Sequence, residues 1–170
     1  MKRFSFVALL LFAFTCSISA QLTFSFNDMV NTRRVSDPQL SPDGRMIAYS
    51  MGIVDKAANK ALTQIYTMSI DGTNQRAITS GTSSSSSPRW SPDGRHIAFA
   101  TGGQIWTMEP DGDDKEQITK ISSSASQPVW SPDGKRIAFV STRDNPPGLV
   151  GIWLVRPDGT DLRQVVPGGG

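Results

Sequence analysis

Cysteine is nearly absent from this chain: there is one in 170 residues, Cys16, and it lies within the first twenty. A single thiol cannot form an internal disulfide framework. Once the leader described below is removed, neither a thiol nucleophile nor a thiolate zinc site remains. Histidine is as scarce, with His96 alone. A serine-hydrolase centre needs a nucleophile, a histidine base, an orienting carboxylate and oxyanion donors, and no G-x-S-x-G nucleophile elbow occurs here. This segment therefore carries no expected catalytic residue. Charge of one sign is also missing: 17 basic side chains face 15 acidic ones. No basic field for nucleic acid is available.

What the amino terminus does have is an export pattern. Lys2 and Arg3 precede an apolar run from Phe4 to Thr15, and Ser17-Ile18-Ser19-Ala20 offers a small-residue exit before Gln21. The run falls short of the roughly 20 apolar residues that span a bilayer. Residues 1–20 are read as a cleaved signal peptide, which places the mature chain outside the cell or in the periplasm and off the membrane. Thr15 stands before Cys16 where a lipoprotein site would want Gly or Ala. Cleavage removes two basic residues and leaves 15 of each sign, although the precursor's isoelectric point is near 8.9.

Three near-copies of one segment dominate the remainder: LSPDGRMIAYS at 40–50, WSPDGRHIAFA at 90–100 and WSPDGKRIAFV at 130–140. In Ser-Pro-Asp-Gly, proline presets φ for the second turn position. Ser and Asp can bond the local backbone, and Gly accepts the positive φ that closes the turn. Ile and an aromatic then share one face of a strand at period two, with Ala48, Ala98 and Ala138 on the other. A small Ala lets a neighbouring layer approach closely.

Each copy continues through a second strand and a second Asp-Gly turn into a third strand: QIYTMSIDGTNQRAIT, QIWTMEPDGDDKEQIT and GIWLVRPDGTDLRQVV. Each is preceded by a short strand ending at Leu40, Trp90 or Trp130. Successive SPDG serines lie 50 and 40 residues apart, yet the step from the second-strand Ile to the next Ser is 26 in both intervals. All variation falls in one loop, so the meander has one face of tight turns and one adjustable face: Met51 to Gln64, Thr101 to Gln104 and Ser141 to Gly151.

Four short strands per unit of roughly 40 residues predict an all-β chain, a β-propeller of four-stranded antiparallel blades. The blades fall at about 37–79, 87–119 and 127–166, within a propeller segment of 37–170. Residues 21–36 form a lead-in. Phe26, Met29 and Val30 are spaced for one or two helical turns, with Ser25 or Asn27 as cap. The serine runs at 83–87 and 122–126 read as inter-blade loops.

Other residues invite chemistry but have plainer explanations. His96 occupies the place of Met46 and Arg136 and reads as an ordinary strand position. Asp111, Asp113, Asp114 and Glu116 cluster, but without the EF-hand offsets; Asp111-Gly112 aligns with Asp71-Gly72 and Asp158-Gly159, as a turn requires. Asp43, Asp93 and Asp133 are likewise turn formers. Trp90, Trp106, Trp130 and Trp153 recur at matched positions, which suits packing between blades rather than a ligand platform. Glu109 and Glu116 stand isolated and form no paired-Glu motif. No cofactor site and no metal site is expected.

The W-S-P-D-G-[RK]-x-I-A-F pattern resembles the WD-repeat-like blades of TolB and of the prolyl-oligopeptidase family, over about residues 28–166. FNDMVNTRRVSDPQLSPDGRMIAYSM, with Arg34-Val35-Ser36-Asp37-Pro38 leading into the first SPDG strand, is similar to the start of secreted acylaminoacyl and dipeptidyl peptidases of that family. TolB, by contrast, carries a long α/β domain before its propeller. The resemblance implies a propeller that caps a carboxy-terminal α/β-hydrolase domain and filters peptide substrates by size, with the catalytic residues in that second domain. A non-enzymatic periplasmic propeller that binds protein partners through its adjustable loops is the alternative.

Propellers close with four to eight blades, so three copies suggest an amino-terminal piece of a longer chain. Extrapolating the 26-residue step from Ile152 places the next SPDG serine eight residues beyond Gly170. Two chains completing one ring is the other possibility.

Overall fold

The computed structural model describes residues 25–55 and 59–169. The expected signal peptide, including Cys16, lies outside the described residues. A helix, α1 (Phe26–Asn31), opens the described chain. It is capped by Ser25, whose hydroxyl accepts from the Asp28 N–H while the Asp28 carboxylate accepts from the Ser25 N–H. Reciprocal capping of this kind satisfies donors that so short a helix would otherwise leave open.

Among the described residues twelve strands follow, in three sheets. Blade 1 holds β1 (Arg34–Leu40), β2 (Met46–Asp55), β3 (Lys60–Ser69) and β4 (Arg76–Ala77). Blade 2 holds β5 (Ser85–Trp90), β6 (Ile97–Thr101), β7 (Gln104–Met108) and β8 (Glu116–Gln117). Blade 3 holds β9 (Ala125–Trp130), β10 (Ile137–Ser141), β11 (Gly151–Val155) and β12 (Arg163–Val166). In each sheet the strands are hydrogen-bonded in chain order, and every observed pairing is antiparallel.

The SPDG turn is built identically three times. In blade 1 the Ser41 hydroxyl donates to Asp43 Oδ1 at 2.6 Å and accepts from the Met46 N–H at 2.9 Å, while the Arg45 N–H donates to the same Asp43 oxygen at 3.1 Å. Gly44 sits at φ 71°, where a side chain would be strained. Ser91 with Asp93, and Ser131 with Asp133, repeat these distances. One serine and one aspartate thus replace the backbone bonds that the reversal forgoes.

The first strand of each blade carries a bulge at an X-Pro step. Asp37, Ser87 and Gln127 lie at φ 51°, 57° and 54°, and the ladder loses register there. The following Pro38, Pro88 and Pro128 have no N–H to give to a ladder.

The core lies between blades. Facing residues pair as Phe99 with Trp106 and Ile97 with Met108 on one side of blade 2, and as Ala98 with Thr107 and Ala100 with Ile105 on the other. The first side packs with Ala48, Ile65 and Ile78 of blade 1 in one cluster. The second packs with Ile137, Phe139, Trp153 and Val155 of blade 3 in another. Blades 2 and 3 therefore present an aromatic face to the blade before them, and blades 1 and 2 an alanine face to the blade after them. Burying one such Ile or Phe contributes about 1.5–3 kcal/mol.

Tryptophan stitches the same interfaces. Trp90 Nε1 donates to the Gln39 carbonyl and Trp130 Nε1 to the Arg89 carbonyl, both at 3.1 Å. Near the first of these, Asp37 at its bulge takes the Arg89 guanidinium at 2.8 Å.

Candidate functional site

The two ends of the blades differ in kind. At the turn end the chain is tight and its carboxylates are committed. The Ser91 hydroxyl, then the Arg95 N–H, hold the Asp93 carboxyl below its ordinary range, with His96 a lesser contributor. Ser41 does the same for Asp43 and Ser131 for Asp133. His96 itself is exposed, one residue before β6, and its N–H donates to Ser91 Oγ. The side chain stands at the turn exit, on the same surface depression as Ser91 and Asp93.

The acidic cluster divides in the same way. The Asp111 carboxylate accepts from the Asp113 N–H at 3.1 Å, as Asp71 accepts from Thr73 and Asp158 from Thr160. Asp114 lies at φ 48° beside its counterparts Asn74 and Asp161, residue types that tolerate the left-handed region. Among the described residues no group of three or more His, Cys, Asp and Glu side chains is placed to hold a metal ion. In blade 3 this end turns basic: Arg136 pairs with Asp161, which holds that carboxyl low, and Arg156 lies 3.8 Å from the same carboxylate.

The loop end varies. Strands β2 and β3 run ten residues each, with continuous pairing from Met46↔Ser69 to Asp55↔Lys60. Their counterparts β6, β7, β10 and β11 have five. The longer hairpin and α1 flank a half-open groove of about 830 Å³, lined among others by Met29, Arg34, Gly52, Val54, Ala61 and Thr63. A concave, mostly apolar surface with a few polar groups is the ordinary form of a ligand or peptide site. It is the best candidate surface here, and it offers recognition without catalysis.

Trp90 and Trp130 spend their N–H groups on the neighbouring blade. Trp153 is buried in the core between blades 2 and 3, with the Arg143 guanidinium 5.2 Å from its ring centroid. Sequence reasoning missed two features. The X-Pro bulge had a visible signal, a proline before each Leu or Trp. The clasp that closes each blade did not: Gln64 and Thr79 in blade 1, and Gln104 and Thr119 in blade 2, read as plain polar strand residues.

Stacked SPDG blades with alternating alanine and aromatic faces define the β-propeller class. The profile of the TolB beta propeller domain matches residues 32–169, and the chain belongs to that family. It is similar to dipeptidyl-peptidase 5 of Porphyromonas gingivalis, 39% identical over 46 residues, which is 27% of this chain and 7% of that protein. Among solved structures, TolB from Agrobacterium tumefaciens is 28% identical with a TM-score of 0.61, over 78% of this chain and 51% of that one. Acylaminoacyl peptidase from Pyrococcus horikoshii gives a TM-score of 0.66 at 19% identity, over 83% of this chain and 26% of that one. The latter likeness is one of fold. The chain spans about half or less of the length of each of these proteins. No helix among the described residues is long and apolar enough to cross a membrane.

Proposed function

We propose that this chain is the amino-terminal propeller of an exported serine peptidase acting on short peptides, a gate with no catalytic residue of its own. The observation that carries this reading is the lead-in. The capped helix Phe26–Asn31 is followed closely by β1, whose Arg34-Val35-Ser36-Asp37-Pro38 leads to the first SPDG turn. The matched segment of dipeptidyl-peptidase 5 supports it. In this reading the reacting groups lie on an α/β-hydrolase domain carboxy-terminal to the propeller. The propeller contributes exclusion by size, and its loop end is where substrates are screened.

Reading the frame downstream of Gly170 tests the proposal. Further SPDG units followed by a G-x-S-x-G elbow are expected, and further units followed by a stop would refute it. Export is tested separately by amino-terminal sequencing of the mature protein, with cleavage expected after Ala20.

The second reading is a TolB-like periplasmic propeller that binds protein partners, favoured by the 28% identity to the Agrobacterium protein. Partner capture should then fall when the loops Met51–Gln64, Thr101–Gln104 and Ser141–Gly151 are replaced together. Unchanged capture would argue against it.

A further inference from the structure

Six Asp-Gly steps occur in this chain, two to a blade: Asp43-Gly44 and Asp71-Gly72, Asp93-Gly94 and Asp111-Gly112, Asp133-Gly134 and Asp158-Gly159. Such a step can modify itself. With the carboxyl protonated from solvent, the Gly nitrogen bonds to Asp Cγ, and the amide proton leaves with the carboxyl OH as water. Water then reopens the cyclic succinimide at either carbonyl. Reopening at the main-chain carbonyl leaves isoaspartate, whose backbone runs through the former side chain. Glycine favours the closure because it has no Cβ to shield its nitrogen.

The backbone treats all six steps alike. Each Gly lies at positive φ, and each Gly N–H donates to the carbonyl three residues back at 2.9 Å. The carboxylates do not match. Asp43, Asp93 and Asp133 each accept from a serine hydroxyl and from a turn N–H. Asp71 and Asp158 accept from both the N–H and the hydroxyl of Thr73 and Thr160. That hydroxyl is the foremost reason that all five carboxyls titrate below their ordinary range. Bonds of this kind hold the charged form and fix its oxygens, and closure needs the neutral form. Asp111 has Asp113 where its counterparts have Thr. Among the described residues its carboxylate accepts one bond, from the Asp113 N–H at 3.1 Å.

We propose that Asp111 is a self-modification site: with no hydroxyl on its carboxylate, Asp111-Gly112 closes to the succinimide and converts to isoaspartate ahead of the other five steps. Asp158 is the matched control. Gly112 lies against the Ile78 carbonyl of blade 1 and Gly159 against the Ile118 carbonyl of blade 2, where an added Cβ would come within 2.7 and 3.0 Å. The preceding blade grips both turns in the same way, so the hydroxyl is what separates them. Isoaspartate also adds a backbone carbon directly before Gly112, where the contact leaves no room for it. The product therefore loosens blade 2 from the end of blade 1.

The test ages the full chain in neutral buffer and locates isoaspartate by peptide mapping with an endoproteinase that cuts at aspartate and not at isoaspartate. Accumulation at Asp111 should run about threefold to tenfold faster than at Asp158, the range that one hydrogen bond commands, and ahead of the other four. Asp113→Thr writes in the missing hydroxyl and should bring Asp111 down to the rate of Asp158. Asp113→Val removes the neighbouring charge without supplying a hydroxyl, and Asp111 should stay fast. Thr160→Val should raise Asp158 to the rate of Asp111. In denaturing urea all six rates should converge, because only the folded turns distinguish them. Equal rates at Asp111 and Asp158 in the folded chain, an unchanged rate in Asp113→Thr, a slowed one in Asp113→Val or a ranking that survives in urea would each overturn the proposal.

Discussion

Blades 2 and 3 have the same strand order and nearly the same turn geometry, yet they close their outer strands with different residues. In blade 2 the Gln104 amide donates to the Ile121 carbonyl, and its oxygen accepts from the Thr119 hydroxyl and the Ile121 N–H. Thr119 Oγ1 in turn accepts from the Ile105 N–H at 2.9 Å. Blade 1 makes the equivalent clasp with Gln64 and Thr79. Blade 3 has Gly151 and Val166 at those positions, and Asn145 from the variable loop takes over. Its amide donates to the Ser141 and Arg143 carbonyls, and its oxygen accepts from Gln164 Nε2 and the Gly168 N–H. The difference teaches that the blade requires the bonds to be made, and that the supplier can move from the repeat into a loop.

The comparison can be broken most severely at Gly151. A Cβ there would lie 2.5 Å from Gln164 Nε2 and 2.7 Å from the Val166 carbonyl. Gly151→Gln, which writes the blade 2 residue into blade 3, should therefore destabilise by about 1–3 kcal/mol through overpacking, read as a lower denaturant midpoint. Gln104→Ala strands the Thr119 hydroxyl and the Ile121 N–H and should cost about 1–3 kcal/mol. Hydrogen exchange should rise across 116–121 and leave 163–168 untouched. Asn145→Ala is the mirror experiment. It should open 163–168 alone, at about 1 kcal/mol because these groups are nearer solvent.

A smaller effect of opposite sign is expected in blade 1. The Ser50 hydroxyl is buried with no partner among the described residues, and blade 2 has Ala100 at that place. Ser50→Ala should stabilise by about 0.5–1 kcal/mol in equilibrium unfolding. The smallest effect is in acid. Asp43, Asp93 and Asp133 have folded pKa values lowered by the serine hydroxyl and the turn N–H. Their contribution is present above the ordinary carboxylate range and is lost as pH falls through the folded value. Asp133→Asn should flatten the decline of melting temperature in acid, and an unaltered pH profile would show that the turn is held by its backbone alone.

Most of the architecture was legible in the chain because each of its devices is local and written three times. The SPDG turn needs only residues within six positions, and the alternation of Ala with Ile and aromatic needs only a strand. The sheet order and the two-faced packing follow from these, while the lead-in helix was legible separately, from the spacing of Phe26, Met29 and Val30, with Ser25 the one of the two offered caps that is used. The clasp was illegible because it joins residues about 15 apart through side chains that look solvent-facing in sequence. In blade 3 no pattern connects Asn145 to Gln164. That the Asp clusters form turns could be read from alignment of the copies; the same alignment put His96 in the strand, whereas it stands one residue before β6. The groove beside α1 could not be read at all, since it depends on how far the β2–β3 hairpin rises above its neighbours.

That hairpin also says how such a protein can change. Its pairing is continuous from Met46↔Ser69 to Asp55↔Lys60, so adding residues beyond that pair in twos leaves every existing pair opposite the same partner and every side chain on the same face. Length at the loop end is thereby uncoupled from the packing between sheets. Selection can raise, shorten or re-equip this ribbon without renegotiating the core, and recognition can evolve on a scaffold that does not register the change.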